Sequence, residues 1–400
     1  MAPLVLLQSS DWHVGSPLSG RGLGLTEELR AKRREEVDEA PERLVRAARE
    51  ARPDVVLLPG DLWDAENVPP SLFRRLVEAF DALAPAPVFV APGNHDFAGP
   101  GGFYDGAFLD ALGLPSWPRN VSVFRSASWE TLPVPGREDA AVTGRAFLSP
   151  LLEAGRPLDP PPARPEVPFA LLMLHGSLES YRGPDAPAGA KRTAPFSAEE
   201  LAAAGFAWAA LGHHHAFDVV ASPGGGALGA YSGSPTGRGL DETGPRVFLK
   251  VTLVEGTPAR VEPVPADCRQ VLDLALDASS RDADALREAA LSLLLEAGAA
   301  PGDLVRLTVR GRPAPGTRAA HALSDLRGLV AHLALRDRTS AEPEGRADRS
   351  TAEGRFALEL EARLAAAPDE RARRVAELAH ALGREALVGR LPAPPPLEDA

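Results

Sequence analysis

Five short apolar runs in the chain each end in histidine, aspartate or asparagine, and this pattern restricts the possible folds more than any other feature. Runs of four to six apolar residues that stop at turn signals are typical of buried strands. Charged segments with helical periodicity, Thr26 to Ala51 and Ser71 to Leu83, separate the first three runs. Because strands alternate with helices in βαβ units, the pattern predicts an α/β protein with parallel strands.

The polar residues after the runs belong at one edge of the predicted sheet, because the carboxyl ends of parallel strands lie together. Alternate residues of an extended segment point to the same side. His213 and His215 are therefore expected to face one site, and His214 to point away from it. The full set of polar residues at the strand ends is Asp11, His13, Asp61, Asn94, His95, His175 and His213 to His215.

Carboxylate, amide oxygen and imidazole together indicate a site for manganese, iron or zinc more than for calcium, which prefers oxygen ligands alone. Taken singly, each of these short motifs is more often a turn, a helix cap or a strand end. Their occurrence as an ordered series, each at a predicted strand end, favours a metal centre.

The series DWH, GDLWD, GNHD, HGS and GHHH resembles that of the calcineurin-like metallophosphoesterases over roughly residues 4 to 265. The resemblance implies a four-layer α/β/β/α sandwich with a dinuclear metal site. It implies that His95 is the family histidine that protonates the leaving oxygen or stabilises the transition state. It also implies the ligands: Asp61 as the bridge between the two ions, with Asp11, His13 and His215 at one ion and Asn94, His175 and His213 at the other.

Within that superfamily, the chain resembles the SbcD-type DNA repair nucleases. The segment YSGSPTGRGLDETGPR, residues 231 to 246, is similar to the strand and loop that follow their last metal ligand. GDLWD and PGNHD also suit that family, although phosphatases share these motifs. Some archaeal members have a histidine three residues after the bridging aspartate; Asp64 stands there in this chain, so a role of that histidine does not carry over.

The region after the catalytic domain predicts a small β-α-β-α unit, whose last helix runs from Ala319 to Leu335. It is similar to the capping domain with which SbcD-type nucleases hold DNA; a generic accessory fold is the alternative. We therefore predict a nuclease domain at residues 1–265, a capping domain at 266–335, a polar linker at 336–352, a helical partner-binding segment at 353–390 and a disordered tail at 391–400.

The C-terminal segment predicts two amphipathic helices, at residues 353–364 and 370–389. Such helices either fold back on the core or bind another chain, and SbcD-type nucleases bind the coiled-coil base of their ATPase partner here. If the helices bind a partner, their apolar stripes are expected to be exposed in the isolated chain. The stripes consist of Phe356, Leu360 and Leu364 in the first helix and of Val375, Leu378 and Leu382 in the second.

The resemblance implies a metal-dependent DNA nuclease of double-strand-break repair, a 3'-5' exonuclease, a single-strand endonuclease or both. It implies two divalent ions, with manganese favoured, and as partners DNA, an SbcC-like ATPase and a second copy of the chain in a homodimer. A small-molecule phosphodiesterase or phosphoprotein phosphatase is the alternative that uses the same chemistry. An inactive scaffold is the alternative from another class, and the complete ligand set argues against it.

Composition limits the setting of the protein. The net charge of −12 argues against a protein that coats nucleic acid, but not against a nuclease whose bound metal ions reverse the local sign. The single cysteine, Cys268, excludes an internal disulfide. The sequence contains no apolar stretch near the roughly 20 residues of a membrane span and no signal-peptide pattern, so we expect a soluble, cytoplasmic protein.

Overall fold

Six strands form the first sheet of the computed structural model. Its spatial order is β12-β11-β1-β2-β3-β4, with β1 to β4 parallel and β11 and β12 antiparallel to their neighbours. The strands are β1 (Leu4–Gln8), β2 (Val55–Leu58), β3 (Val88–Val90), β4 (Val121–Val123), β11 (Val247–Leu253) and β12 (Arg260–Pro265). The structure describes residues 2–18, 24–64, 68–151, 155–183, 192–222, 224–239, 242–339, 350–369, 371–373, 375–376, 379 and 383.

The second sheet also has six strands, in the order β5-β6-β7-β8-β10-β9. Its four central strands are parallel, and an antiparallel strand lies at each edge. The strands are β5 (Glu130–Val134), β6 (Arg137–Gly144), β7 (Phe169–His175), β8 (Trp208–Gly212), β9 (Asp218–Ala221) and β10 (Ala227–Tyr231). All five apolar runs that the sequence analysis identified form strands: β1, β2 and β3 in the first sheet and β7 and β8 in the second.

The two sheets pack face to face and helices cover their outer faces. Side chains alternate between the two faces of β7, so Leu171 lies with Leu57 in the apolar core between the sheets while Leu172 faces outward. Phe73 of α3 (Pro70–Asp81) lies in the apolar core on the outer face of the first sheet, and Leu201 of α5 (Ala198–Ala204) lies in that of the second. The predicted four-layer α/β/β/α sandwich is confirmed.

The charged segment after β1 forms two helices and not one. They are α1 (Glu27–Asp38) and α2 (Ala40–Ala51), and Glu39 separates them. Thr26 caps α1 by accepting a hydrogen bond from the main-chain N–H of Leu29. Proline has no N–H group for a helix interior but fits a first turn, so Pro41 stops α1 and starts α2.

A third sheet follows the sandwich, in the order β13-β14-β15. Its strands are β13 (Val271–Asp277), β14 (Leu304–Gly311) and β15 (His332–Thr339), with α6 (Ala283–Glu296) between the first two. The chain divides into two compact units. The first comprises residues 1–273, 299–306 and 329–334, and the second comprises 274–298, 307–328 and the described part of 335–400.

The predicted helix from Ala319 to Leu335 is wrong. The structure has α7 (Ala319–Ala322), a 3-10 turn (Ser324–Gly328) and then β15. The apolar side chains of Leu326 and Leu333 are buried, but β15 obtains its backbone hydrogen bonds from β14 and not from a helix. Pairing with a strand that is distant in sequence therefore overrode the local helical pattern. Residues 336–339 of the predicted linker belong to β15, and 340–349 lie outside the described residues.

The first predicted C-terminal helix is present as α8 (Ala352–Ala365). Leu360 is only 6% exposed, so the expected exposure of the apolar stripe is wrong at this residue, whereas Val375 is 62% exposed. A side chain at position 383 would overlap the ring of Phe356, which shows that α8 packs against Gly383 of its own chain. Leu378 and Leu382 lie outside the described residues. Among the described helices, none has the length and apolar character needed to cross a membrane.

The backbone places short left-handed segments at the strand ends. Four residues from the predicted polar clusters have positive φ angles: Asp11 (54°), His13 (50°), Asp61 (54°) and His213 (107°). Residues other than glycine rarely adopt such angles, and they persist where the surrounding structure holds them. The clusters after β1, β2 and β8 are therefore turns and do not continue the strands, whereas His175 is the last residue of β7.

Candidate metal centre

The loops after β1, β2 and β3 of one sheet, together with the last residue of β7 and the loop after β8 of the other, bring the sequence-predicted ligands together. Ligand atoms of Asp11, His13 and His215 all lie within 4.8 Å of one another. Those of Asp11, Asp61 and His175 do so as well. The two groups share Asp11, so the two halves of the predicted dinuclear site are adjacent in space.

Asp61 lies between the two groups. Its Oδ2 atom is 3.3 Å from Nε2 of His175 and 3.9 Å from Nε2 of His13. The main-chain N–H of His95 donates to the other oxygen, Oδ1, at 2.9 Å. A carboxylate between imidazoles from both groups has the position that a bridging ligand needs.

Asn94 and His213 lie on the His175 side of the centre. Oδ1 of Asn94 is 3.2 Å from Nε2 of His175, and the ring centre of His213 is 5.4 Å from that of His175. Nδ1 of His175 lies 2.9 Å from the main-chain oxygen of Pro59. Donation to that carbonyl leaves Nε2 as the ring atom with a lone pair directed at the centre.

One observation shows directly that these residues suit a metal ion. Nε2 of His13 is buried and has no hydrogen-bond partner among the described residues. Its other ring nitrogen, Nδ1, lies 2.7 Å from Oδ1 of Asp64, which orients the ring. A buried nitrogen lone pair without a partner is costly, and a metal ion would satisfy it.

The electrostatics of the centre also favour a cation. Burial raises the pKa of Asp11 to about 6, although His175 and His215 act in the opposite direction. Burial lowers the pKa of His13 to about 3, which keeps this imidazole neutral as metal binding requires. Burial lowers the pKa of His175, but the carboxylates of Asp61 and Asp11 and the hydrogen bond to Pro59 together outweigh burial, and the pKa rises to about 9. Two buried carboxylates among imidazoles thus attract positive charge, whether protons or metal ions.

His95 differs from the predicted ligands in its exposure. Its side chain is 50% exposed, whereas those of His13 and His175 are almost fully buried. Nδ1 of His95 lies 3.2 Å from Oδ1 of Asp64, and this hydrogen bond is the main cause of its raised pKa. A partly exposed imidazole at the rim of the centre, whose protonated form Asp64 favours, can reach a substrate and donate a proton.

His214 points away from the two groups. It is buried and stacks on Tyr181, with ring centres 3.6 Å apart and an angle of 10° between the rings. The prediction that His213 and His215 face the centre rested on an extended chain. The positive φ of His213 shows that a turn, and not a regular strand, separates the three side chains.

Sequence reasoning missed three acidic residues that hold the ligands. Asp64 contacts both His13 and His95, and sequence reasoning noted it only because it stands where some family members have a histidine. Glu242 Oε1 and Arg238 Nη2 each lie 2.9 Å from Nδ1 of His215, which leaves Nε2 for the centre. The resemblance of segment 231–246 to a loop after the last ligand was the available signal for Glu242.

Asp96 is the third of these residues, and it is the last letter of GNHD. Its carboxylate accepts hydrogen bonds from the main-chain N–H groups of Asp61, Leu62 and Gly93 and from the hydroxyl of Tyr104, at 2.7–3.1 Å. It therefore joins the loop after β2 to the loop after β3. A Cβ atom at Gly93 would collide with Asp61, so only glycine allows the two loops to approach this closely.

Comparison with known proteins agrees with the fold. The calcineurin-like phosphoesterase family model matches residues 4–217, which include all the predicted ligands. The chain is also similar to the uncharacterized metallophosphoesterase YhaO of Bacillus subtilis (strain 168), with 28% identity over 264 residues. This match covers 64% of the chain and 59% of the relative, so the chain spans less than two thirds of that protein's length. The chain belongs to the calcineurin-like phosphoesterase family, whose members use a dinuclear metal site.

Proposed function

We propose that the protein is a metal-dependent hydrolase of phosphodiester bonds in DNA that acts in double-strand-break repair. Its activity is that of a 3'-5' exonuclease, a single-strand endonuclease or both. The observation that carries this proposal is the position of segment 231–246. That segment resembles a loop of SbcD-type nucleases, and its Arg238 and Glu242 contact His215 directly.

The proposed centre takes two divalent ions, and manganese suits its mixed oxygen and nitrogen ligands. Asp11, His13 and His215 would hold one ion, Asn94, His175 and His213 would hold the other, and Asp61 would bind both. When bound, two such ions act as Lewis acids toward the oxygen atoms of a phosphoryl group.

The protein's own residues supply orientation and proton transfer. His95 donates a proton to the leaving oxygen, because its ring is exposed at the rim and Asp64 favours its protonated form. Asp64 also holds the ring of His13 through Nδ1. The main-chain N–H of His95 donates to Asp61, so the proton donor and the bridging carboxylate keep a fixed separation.

The second part of the proposal concerns partners: an SbcC-like ATPase and a second copy of the chain in a homodimer. The capping function is assigned to the third sheet and α6, which follow the sandwich as the capping domain does in SbcD-type nucleases. Val375 supports the partner site, since it is 62% exposed and lines one pocket together with Leu360 and Arg363 of α8.

The test compares substrate classes with one preparation of the protein in manganese. End-labelled duplex DNA and circular single-stranded DNA are set beside a cyclic nucleotide and p-nitrophenyl phosphate. We expect the DNA substrates to be cut with the highest kcat/KM and the His95→Asn variant to lose this activity while keeping its metal content. Faster hydrolysis of the cyclic nucleotide or of p-nitrophenyl phosphate would replace the proposal by a small-molecule phosphodiesterase or a phosphatase. Failure to hydrolyse any substrate with two ions bound would favour the scaffold.

A further inference from the structure

A cavity of about 780 Å³ opens beside the candidate metal centre. This volume is within the roughly 300–1,000 Å³ of sites for small molecules and cofactors. His95, Asn94 and Asp64 form its polar part, next to the centre. The cavity is therefore continuous with the place where a scissile phosphate would lie.

The rest of the cavity is apolar and aromatic. Trp63, Phe97, Phe103, Phe108 and Leu112 line it, together with several prolines and glycines. None of the described lining residues is a lysine or an arginine. A DNA backbone is recognised by cations, so these walls suit a flat, neutral group and not a second phosphate.

The aromatic walls are held in fixed positions. The rings of Phe103 and Phe73 stack with centres 4.5 Å apart, and the ring of Trp63 lies 6.0 Å from that of Phe103. Trp63 is only 2% exposed, whereas Leu112 is 48% exposed and lies at the end of α4 (Gly106–Ala111). The cavity thus has a rigid floor and an accessible apolar rim.

We infer that this cavity binds one unpaired nucleobase of the substrate, on the leaving-group side of the scissile phosphate. We place the base on the leaving-group side because His95, the proposed proton donor to the leaving oxygen, lines this cavity. A base in a duplex is stacked and paired, so it must leave the duplex to enter. The inference rests on the proposed nuclease function, and it makes frayed ends and single strands the preferred substrates.

The first experiment measures binding without turnover. Adenosine is titrated into the full-length protein in EDTA by calorimetry, with ribose as the probe that lacks a base. We expect adenosine to bind and ribose not to bind. Phe108→Ala and Leu112→Trp should weaken adenosine binding about tenfold or more, because stacking of one base contributes ~1–3 kcal/mol. Val254→Ala is the matched control, since Val254 is also exposed (40%) and lies outside the cavity lining.

The second experiment uses single-stranded DNA with one abasic residue on the leaving side of a labelled bond. We expect kcat/KM for that bond to fall about tenfold in the parent protein and to change little further in Phe108→Ala. Equal cleavage of the abasic and intact strands, with no adenosine binding, would overturn the base site while the nuclease function stands. Adenosine binding that Phe108→Ala and Leu112→Trp leave unchanged would also overturn it. Adenosine binding that both variants weaken, in a protein that cuts no DNA, would retain a nucleobase site and refute the nuclease function.

Discussion

The Asp64 carboxylate lies 2.7 Å from Nδ1 of His13, and the same oxygen lies 3.2 Å from Nδ1 of His95. One carboxylate therefore orients a proposed metal ligand and the proposed proton donor together. Hydrogen-bond partners of metal ligands typically change metal affinity or activity by about 10–100-fold. Asp64 thus fixes the rings of His13 and His95 from one position.

The first prediction concerns Asp64→Asn. Turnover should fall about 10–100-fold, because the amide holds the two imidazoles less firmly. The hydrogen bond that His95 donates to Asp64 raises the pKa of His95, so its weakening should lower that pKa. His95 would then lose its proton at a lower pH, so the basic limb of the pH profile of kcat should move to lower pH. Asp110→Asn, at an exposed carboxylate, is the control. A reduced kcat with an unmoved basic limb would show that Asp64 does not act through His95.

The second prediction concerns Asp61→Asn. Asparagine keeps the shape of the side chain and tolerates the positive φ of this position, so the fold should survive. Loss of the negative charge shared by the two groups should remove both metal ions, as measured by elemental analysis after dialysis. Asp110→Asn again serves as the control. Retention of two ions per chain would contradict the bridging position of Asp61.

The third prediction separates the members of the histidine run. His214→Phe should keep most of the turnover, because a phenyl ring preserves the stack on Tyr181. His213→Phe, its matched variant in the same run, should lose turnover by more than the ~100-fold that loss of a ligand's hydrogen-bond partner costs. Thermal unfolding of the two variants checks that neither effect comes from misfolding. A greater loss of metal in His214→Phe than in His213→Phe would reverse the assignment.

The fourth prediction tests the partner surface at its exposed residue. Val375→Asp should weaken binding of an SbcC-like ATPase, because a charge in the centre of an apolar interface is poorly tolerated. Nuclease activity on short single strands and the melting temperature should remain unchanged. Leu295→Asp, at a leucine that is 79% exposed on α6, is the matched control. Binding that survives Val375→Asp, measured by co-sedimentation, would exclude this residue from the interface.

The strands of the sandwich could be predicted because burial on both faces leaves continuous apolar runs, as in Val55–Leu58. The residues of the candidate metal centre could be predicted because each of those runs is followed by histidine, aspartate or asparagine. The partners of the ligands could not be predicted. Asp96 and Glu242 act through hydrogen bonds that depend on how loops from distant parts of the sequence approach each other. β15 was missed for a related reason, since its apolar spacing also suits a helix and only its neighbour β14 decides between the two.

The proposed ligands divide between the two sheets, with Asp11, His13, Asp61 and Asn94 on one and His175, His213 and His215 on the other. An ion that binds ligands from both sheets would link the two sheets to each other. By mass action, a metal that binds only the folded chain raises the free energy of unfolding by about 2.7 kcal/mol at a hundredfold excess over its Kd. Metal supply would then govern the lifetime of the protein as well as its rate of turnover. Chains synthesised without metal would then unfold more readily at the interface between the two sheets and be degraded first.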